Sequence, residues 1–236
     1  MSELNAPIAL VTGASSGIGQ AIAAKLVASG WHVHGLDIAA APSINGSYTH
    51  WSIDLTRADA FEPTLDRILF GGVPRALVHA AGVLRVGDLG LLNTDAGYLM
   101  WQLHVDAATR LANRVLPVMQ AAKQGSMVLV GSRISLGMAG RSQYAASKAA
   151  LVSLARSWAA ESIGHGVTVN VVSPAATDTP MLNDPARASM TPKLPPIGRL
   201  IQADEVASLV DYLLSPQATA ITGQDIAICG GASVQS

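Results

Sequence analysis

Short apolar runs alternate with longer stretches of helical periodicity along this chain. Ile8 to Val11 is apolar and precedes Ile18, Ile22 and Leu26, whose spacing predicts an amphipathic helix that ends at Gly30. Further strands are predicted at 31–36, 49–53, 76–79, 127–130, 167–172 and 225–229, with helices at 57–69, 94–123, 143–162 and 203–214. Apolar strands separated by helices are typical of a parallel α/β sheet that is covered on both faces.

Two segments interrupt this alternation. Residues 39–47, with Pro42 and Gly46, are too irregular for a helix. Residues 174–196 carry six of the 12 prolines and follow the carboxyl end of a strand. We therefore predict a substrate lid at about 176–202, whose residues Met181, Leu182, Met190 and Leu194 predict a partly apolar pocket wall. No repeat, low-complexity tract or linker is present, so residues 1–236 are predicted to form one domain.

Composition and charge narrow the classes of function. Half of the residues are hydrophobic and the formal net charge is −1, which argues against nucleic-acid and anionic-membrane partners. The single cysteine, Cys229, excludes an internal disulfide, and the six histidines show no metal-ligand spacing. No apolar run is long enough to span a bilayer, and the first residues do not resemble a signal peptide. We expect a cytoplasmic protein with a small-molecule substrate and no bound metal.

The glycine-rich stretch after the first strand is the main candidate for cofactor binding. Gly13, Gly17 and Gly19 stand between a predicted strand and a predicted helix. The N–H groups and the dipole at such a helix N-terminus favour a phosphate. Gly13 would permit the tight turn, Gly17 the approach of a pyrophosphate, and Gly19 the packing of helix on strand. An ordinary glycine-rich turn is the alternative interpretation, because the spacing differs from that of most dinucleotide folds.

Acidic residues end the second and third predicted strands. A carboxylate at Asp37 would accept hydrogen bonds from ribose hydroxyls and would repel a 2′-phosphate. No Arg or Lys lies between Asp37 and Arg57 to neutralise such a phosphate. The alternative is a capping aspartate before a turn, but the upstream glycines favour NAD over NADP. Asp54, which precedes Leu55, could meet the adenine amino group.

Tyr144 and Lys148 are four residues apart on one predicted helix, so their side chains share a face. A tyrosine ordinarily ionises near pH ~10, and a nearby ammonium lowers that pKa. The pair therefore predicts an acid/base tyrosine. Ser132 follows the fifth strand, at the sheet edge where ligands of open parallel sheets bind.

Taken together, these motifs resemble the short-chain dehydrogenase/reductase family over essentially the whole chain. The matching segments are residues 12–19, Asp54-Leu55, Ala80-Ala81-Gly82, Ser132, residues 144–148 and residues 169–174. The resemblance implies a single-domain Rossmann fold with a doubly wound sheet of seven parallel strands and helices on both faces. It also implies hydride transfer between a nicotinamide and a secondary alcohol or ketone.

The same resemblance implies roles for individual residues. Tyr144 would be the general acid/base, Ser132 would hydrogen-bond the reacting oxygen, and Lys148 would hold the nicotinamide ribose while lowering the pKa of Tyr144. Thr177 and Thr179 match positions that hold the cofactor carboxamide. The complete implied cofactor set is Gly13, Ser15, Ser16, Gly17, Ile18, Gly19, Asp37, Asp54, Leu55, Ala80, Ala81, Gly82, Tyr144, Lys148, Pro174, Thr177 and Thr179.

Some positions depart from the family pattern. His79 opens the segment that is commonly Asn-Asn-Ala-Gly, and His104 aligns with a helix asparagine that usually completes a proton relay. A histidine at 104 could pass a proton in that catalytic relay, or it could only fill space. Ser132 lies 12 residues before Tyr144, one fewer than usual, which leaves Ser135 as an alternative.

Three further expectations remain open. The segments 80–87 and 170–179 are similar to 2,3-dihydro-2,3-dihydroxybenzoate dehydrogenases, which oxidise a cyclic diol with NAD. That resemblance implies that Arg85 would pair with a substrate carboxylate; a solvated loop charge is the alternative. Independently of it, Met181 of the predicted lid is a candidate substrate contact. The 3-oxoacyl reductases are another candidate class within the family. A non-catalytic NAD-binding regulator is an alternative of a different kind. Residues 230–234 and the two long helices resemble the family's subunit interfaces, which implies a homotetramer or homodimer.

Overall fold

The computed structural model describes residues 6–184 and 193–234. The strands in these ranges are β1 Ile8–Thr12, β2 His32–Asp37, β3 Tyr48–Ser52, β4 Ala76–His79, β5 Gly125–Val130, β6 Val167–Pro174, β7 Thr177–Asp178, β8 Ile201–Gln202 and β9 Asp225–Ile228. Seven of them form one parallel sheet in the order β3-β2-β1-β4-β5-β6-β9. The strand order reverses between β1 and β4, which makes the sheet doubly wound and opens a crevice there.

Helices cover both faces of the sheet, as the alternating pattern predicted. They are α1 Gly17–Ala28, α2 Ala58–Phe70, α3 Thr94–Trp101, α4 Ala107–Ala121, α5 Ser142–Ser162 and α6 Ala203–Leu213. On β1, Ala9 and Val11 belong to the core beneath α1 and α6, whereas Leu10 belongs to the core beneath α2, α4 and α5. Successive strand residues point to opposite faces, so this division places β1 in the middle layer.

The helix predicted at 94–123 is not continuous. A π-helical turn, Gln102–Asp106, separates α3 from α4 and carries the fully buried His104. A π turn adds one residue to the helical turn, and the apolar spacing on either side of it does not reveal that residue. The hydrogen bonds of His104, described below, hold this turn against α5.

The structure agrees with the prediction for the first irregular segment and adds a feature to the second. Residues 38–47 contain no helix or strand, as predicted. The predicted lid begins and ends at a short parallel ladder that the sequence did not indicate, in which Thr177 pairs with Ile201 and Asp178 with Gln202. The ladder joins the two ends of the lid. Residues 185–192, including the predicted wall residue Met190, lie outside the described residues.

Candidate active site

One cavity of about 880 Å³ lies at the carboxyl edge of the sheet. It brings together most of the predicted site residues, namely Gly13, Ser16, Gly17, Ile18, Gly19, Asp37, Asp54, Leu55, Ala80, Ala81, Gly82, His104, Ser132, Tyr144, Lys148, Pro174, Thr177, Thr179 and Met181. Ser15, Arg85 and the alternative Ser135 do not line it. Most of the predicted site residues therefore form one contiguous site at the ends of the strands.

The glycine-rich turn forms a cradle made of backbone. A Cβ atom at Gly13, whose φ is +67°, would lie 2.8 Å from the Cα atom of Ala81. A Cβ atom at Gly19 would lie 2.1 Å from the carbonyl oxygen of Gly13. The side chain of Ser16, the residue before α1, makes no capping hydrogen bond, and the first turn of α1 holds no acidic residue. The N-terminus of α1 is thus suited to the phosphates of a dinucleotide.

Asp37 is fixed beside this cradle by two backbone N–H groups. Ser15 N donates to Oδ2 at 2.9 Å, and Ala39 N donates to Oδ1 at 2.9 Å. Among the described residues that follow β2 and β3 in the cavity wall, none is Arg or Lys. This end of the cavity therefore carries an oriented carboxylate with no cation beside it.

Ser132, Tyr144 and Lys148 line the cavity on the other side of β1. Ser132 follows β5, and Tyr144 and Lys148 lie one turn apart on α5, 8% and 4% exposed. Lys148 Nζ donates to the carbonyl of Val130 at 2.8 Å and lies 5.9 Å from the centre of the Tyr144 ring. Burial lowers the pKa of Lys148 to about 7. The ammonium is therefore close enough to act on the tyrosine and is itself close to titration at neutral pH.

His104 uses both ring nitrogens. Val83 N donates to Nε2 at 3.1 Å, so the ring proton lies on Nδ1, which is 2.9 Å from Ser147 Oγ. Ser147 in turn donates its hydroxyl proton to the carbonyl of Tyr144 at 2.8 Å. Burial, together with the charge of Lys148 and the neighbouring His79, lowers the pKa of His104 well below its ordinary value. The structure therefore holds His104 as a neutral ring between β4 and α5; its role in a proton relay stays a prediction.

A second buried histidine orders the end of β4. Thr12 Oγ1 accepts hydrogen bonds from Ala80 N and Ala81 N, both at 3.1 Å, and donates its own proton to His79 Nδ1 at 2.9 Å. Burial lowers the pKa of His79 to about 3. The sequence marked His79 only as a departure and did not single out Thr12 or Ser147. In the sequence each of these two is only a hydroxyl residue: Thr12 stands at the end of a predicted strand, and Ser147 lies inside the 144–148 motif.

Arg85 contacts the lid instead of the cavity. Its Nη1 donates to Asp184 Oδ2 and to the carbonyl of Leu84, each at 3.0 Å. The guanidinium groups that do line the cavity are those of Arg133 and Arg141. The sequence did not single them out, although one directly follows Ser132 and the other closely precedes Tyr144.

Neither a metal centre nor a membrane span is indicated in the part of the chain that the structure describes. Within residues 6–184 and 193–234, no three His, Cys, Asp or Glu side chains are grouped so that they could hold a metal ion. In the same ranges no helix has the length and apolar character needed to cross a bilayer.

Known proteins resemble this chain in sequence and in fold. A family model described as Enoyl-(Acyl carrier protein) reductase matches residues 13–233. The 3-oxoacyl-[acyl-carrier-protein] reductase FabG of Salmonella typhimurium is 36% identical over 240 residues, covering 95% of this chain and 96% of that protein. A variant of actinorhodin polyketide ketoreductase with NADPH has a TM-score of 0.90 at 26% identity and covers 100% of both chains. The structure of 4-hydroxyisoleucine dehydrogenase complexed with NADH has a TM-score of 0.88 at 26% identity and covers 98% of this chain and 100% of that one.

These matches extend over the glycine cradle, the strand ends and the Tyr144–Lys148 helix. Nearly the whole length of each relative is covered, so the matched region spans the segments that line the cavity as well as the sheet. The chain therefore belongs to the short-chain dehydrogenase/reductase family of oxidoreductases, as its sequence motifs predicted.

Proposed function

We propose that this protein is an NAD-dependent oxidoreductase that transfers a hydride between nicotinamide and a secondary alcohol or ketone. The observation that carries the choice of NAD is the carboxylate of Asp37, which Ser15 N and Ala39 N orient beside the glycine cradle. A carboxylate in this position accepts hydrogen bonds from ribose hydroxyls and repels a 2′-phosphate. The solved structures that share this fold include one with NADH and one with NADPH, so family membership alone leaves the choice between NAD and NADP open.

The residues along the cavity fit a dinucleotide from end to end. The glycine cradle and the N-terminus of α1 would hold the pyrophosphate, and Asp54 with Leu55 would face the adenine. Ala80, Ala81 and Gly82 leave room for a ligand at the end of β4, and Thr177 and Thr179 would hold the carboxamide. A bound nicotinamide would accept the hydride in the oxidation direction and supply it in reduction.

Proton transfer is assigned to the three side chains on the far side of β1. In the oxidation direction, the phenolate of Tyr144 takes the proton of the substrate hydroxyl while the carbon loses its hydride, and a carbonyl forms. Ser132 would hydrogen-bond the reacting oxygen. The ammonium of Lys148 favours the phenolate because an opposite charge stabilises the ionised form. In reduction the same proton returns from Tyr144 to the oxygen.

Two of the comparisons bear on the substrate class, and each favours a different candidate. The curated relatives are 3-oxoacyl-[acyl-carrier-protein] reductases, which favours a 3-oxoacyl thioester as one candidate substrate. The neighbour that is a 4-hydroxyisoleucine dehydrogenase favours oxidation of a secondary alcohol. The cyclic dihydrodiol alternative relied on Arg85, which contacts Asp184, so it has less support. A regulator without turnover would not need a buried lysine beside a tyrosine in the same cavity.

A paired rate assay by nicotinamide absorbance tests this proposal. One arm follows NADH consumption with 3-oxoacyl thioesters and simple ketones, and the other follows NADH formation from secondary alcohols and cyclic diols. Tyr144→Phe is expected to lower kcat at least ~100-fold while NADH still binds, because a positioned acid/base contributes about that factor. Tyr212→Phe, at an exposed position of α6, is the matched control. Full activity in Tyr144→Phe would refute the mechanism.

The choice of NAD is tested separately, by comparing kcat/KM with NADH and with NADPH. The kcat/KM with NADH is expected to exceed that with NADPH by more than about tenfold, and Asp37→Ala is expected to reduce that ratio about tenfold, since hydrogen bonds to a charged group are lost. Equal use of both cofactors by the unmodified enzyme would overturn the choice of NAD.

A further inference from the structure

The ionisable side chains that line the cavity are separated by the sign of their charge. Asp37 ends β2 and Asp54 follows β3, on one side of β1 in the sheet order. Arg133 and Arg141 follow β5, on the other side, together with Lys148. Of the described residues that line this second side, none is Asp or Glu. The half of the cavity that contains the reacting groups is therefore positively charged, and a cleft of one sign attracts ligands of the other.

Arg133 has donors to spare for a ligand. It directly follows Ser132 and begins a short 3₁₀ turn, Arg133–Leu136. The only hydrogen bond of its guanidinium to a described residue is a long one, from Nη1 to the carbonyl of Ala232 at 3.4 Å. No described carboxylate forms an ion pair with it. A guanidinium carries five N–H donors in a planar fork that matches an oxyanion.

Arg141 adds a second guanidinium at the same end. It immediately precedes α5, on whose first turn Tyr144 lies. Both line the cavity. Three other cations lie in or near this cavity: Lys148 donates to Val130, Arg85 pairs with Asp184 outside the cavity wall, and Lys193 of the lid also lines the cavity.

Apolar side chains also form part of the cavity wall. Leu84, Leu99, Met138, Met181 and Leu194 are among the residues that line it. Leu84 and Tyr144 pack in one cluster, against which Met181 also packs. Such walls favour a hydrocarbon chain or ring as the body of the substrate.

We propose that Arg133, with Arg141, binds a carboxylate or phosphate group of the substrate. The substrate is then an organic anion with an apolar body, whose secondary alcohol or ketone reaches Ser132 and Tyr144. This inference rests on the proposed function and specifies its substrate class. It assigns the anion to Arg133 and Arg141, in contrast to the sequence-based expectation of Arg85.

Matched ketones test the charge requirement. KM is measured with NADH for 4-oxopentanoate, its methyl ester and 3-oxobutyl phosphate, which share a methyl ketone and a spacer of two methylene groups. The ratio of KM for the ester to KM for each anion is expected to be about tenfold or more, because a charge-assisted hydrogen bond contributes about that factor. A lower KM for the phosphate than for the carboxylate would identify phosphate as the preferred group, and the reverse would identify carboxylate.

Variants then assign that ratio to a residue. Arg133→Gln, which removes the charge and keeps a polar side chain, is expected to reduce the ratio about tenfold, and Arg133→Lys to reduce it less. Lys25→Gln removes an equal charge from the exposed face of α1 and should leave the ratio unchanged. A ratio near one in the unmodified enzyme, or a ratio that Arg133→Gln does not change, would overturn the inference.

A binding measurement separates this inference from the proposed function. Pentanoate and methyl pentanoate, which cannot react, are titrated into the enzyme–NADH complex and followed by NADH fluorescence. Binding of pentanoate that weakens about tenfold in Arg133→Gln would support the anion site even if no ketone turned over, in which case only the proposed function would fail. Turnover of neutral ketones without Arg133-dependent binding of pentanoate would overturn the anion site and leave the proposed function intact.

Discussion

The Nδ1 atom of His104 lies 2.9 Å from the hydroxyl oxygen of Ser147, in a buried hydrogen bond that joins the π turn to α5. The ring is perpendicular to that of Tyr144, with centroids 5.6 Å apart. With Val83 N on its other nitrogen, the ring ties the end of β4 to the helix of the acid/base tyrosine. These contacts favour a positioning role for His104, with the imidazole neutral throughout the neutral pH range.

Amide replacements of His104 separate positioning from proton relay. Asn presents its amide near the place of Nδ1 and Gln near the place of Nε2, so each keeps one hydrogen bond, whereas Ala keeps neither. We expect His104→Ala to lower the free energy of unfolding by about 3 kcal/mol or more, through unpaired buried groups and a cavity, and the amides to cost less. Urea denaturation measures these values.

The pH dependence of kcat in the same variants tests the relay. His104→Gln is expected to keep kcat within about tenfold and to keep the apparent pKa values of the profile, because the buried ring stays neutral. A fall of ~100-fold, with an ionisation lost from the profile, would instead support a relay through His104.

His79 is expected to make the fold sensitive to acid. Its pKa is about 3 in the folded protein, where burial disfavours the charged ring, against an ordinary 6.5 when unfolded. The unfolded chain therefore binds one more proton between these values, and the free energy of unfolding falls as the pH decreases from 6.5 towards 3, by about 1.4 kcal/mol per pH unit. In His79→Asn, urea denaturation across this range should show a slope smaller by about one proton. The exposed His165→Asn is the control, and an unchanged slope in His79→Asn would contradict the prediction.

Alanine at Gly19 is expected to damage the cofactor cradle. Its Cβ would lie 2.1 Å from the carbonyl oxygen of Gly13, so α1 and the turn must separate. We expect a loss of about 1–3 kcal/mol in the free energy of unfolding and NADH binding weakened by about tenfold or more. Gly164→Ala is a matched control, since an added Cβ there has no atom within 4 Å. Thermal unfolding and fluorescence titration measure both effects, and equal behaviour of the two variants would show that the close approach is unimportant.

The ion pair between Arg85 and Asp184 is expected to affect kcat/KM while contributing little to the free energy of unfolding. Each side chain is about one-third exposed, at 32% and 31%, and such pairs contribute at most about 1 kcal/mol. Arg85→Gln and Asp184→Asn should leave thermal unfolding nearly unchanged, while each lowers kcat/KM because the lid is held less firmly. In a double-mutant cycle the two effects should overlap. A KM effect of Arg85→Gln confined to anionic substrates, with none from Asp184→Asn, would show that Arg85 binds the substrate directly.

The sequence predicted the parts of the site that short-range patterns determine. A single turn contains the spacing of Gly13, Gly17 and Gly19, and a single helix contains the separation of Tyr144 from Lys148. The apolar runs located the seven strands of the sheet. The π turn, the pairing of β7 with β8 and the contact of Arg85 with Asp184 depend on segments far apart in the chain. No local period reports such contacts, because they arise only when packing brings the segments together.

The π turn at Gln102–Asp106 also makes this part of the enzyme sensitive to chain length. A π turn holds one residue more than an α turn, and each helical residue advances by about 100° around the axis. Deleting Val105 would allow a continuous α-helix in which α3 and α4 keep their present faces, because the wider turn already absorbs the advance of the extra residue. We expect the ring of His104, which lies in that turn, to leave both Ser147 and Val83 as the turn narrows. A deletion of one uncharged residue here would therefore remove the support of the Tyr144 helix while the helices on either side of the turn stay in place.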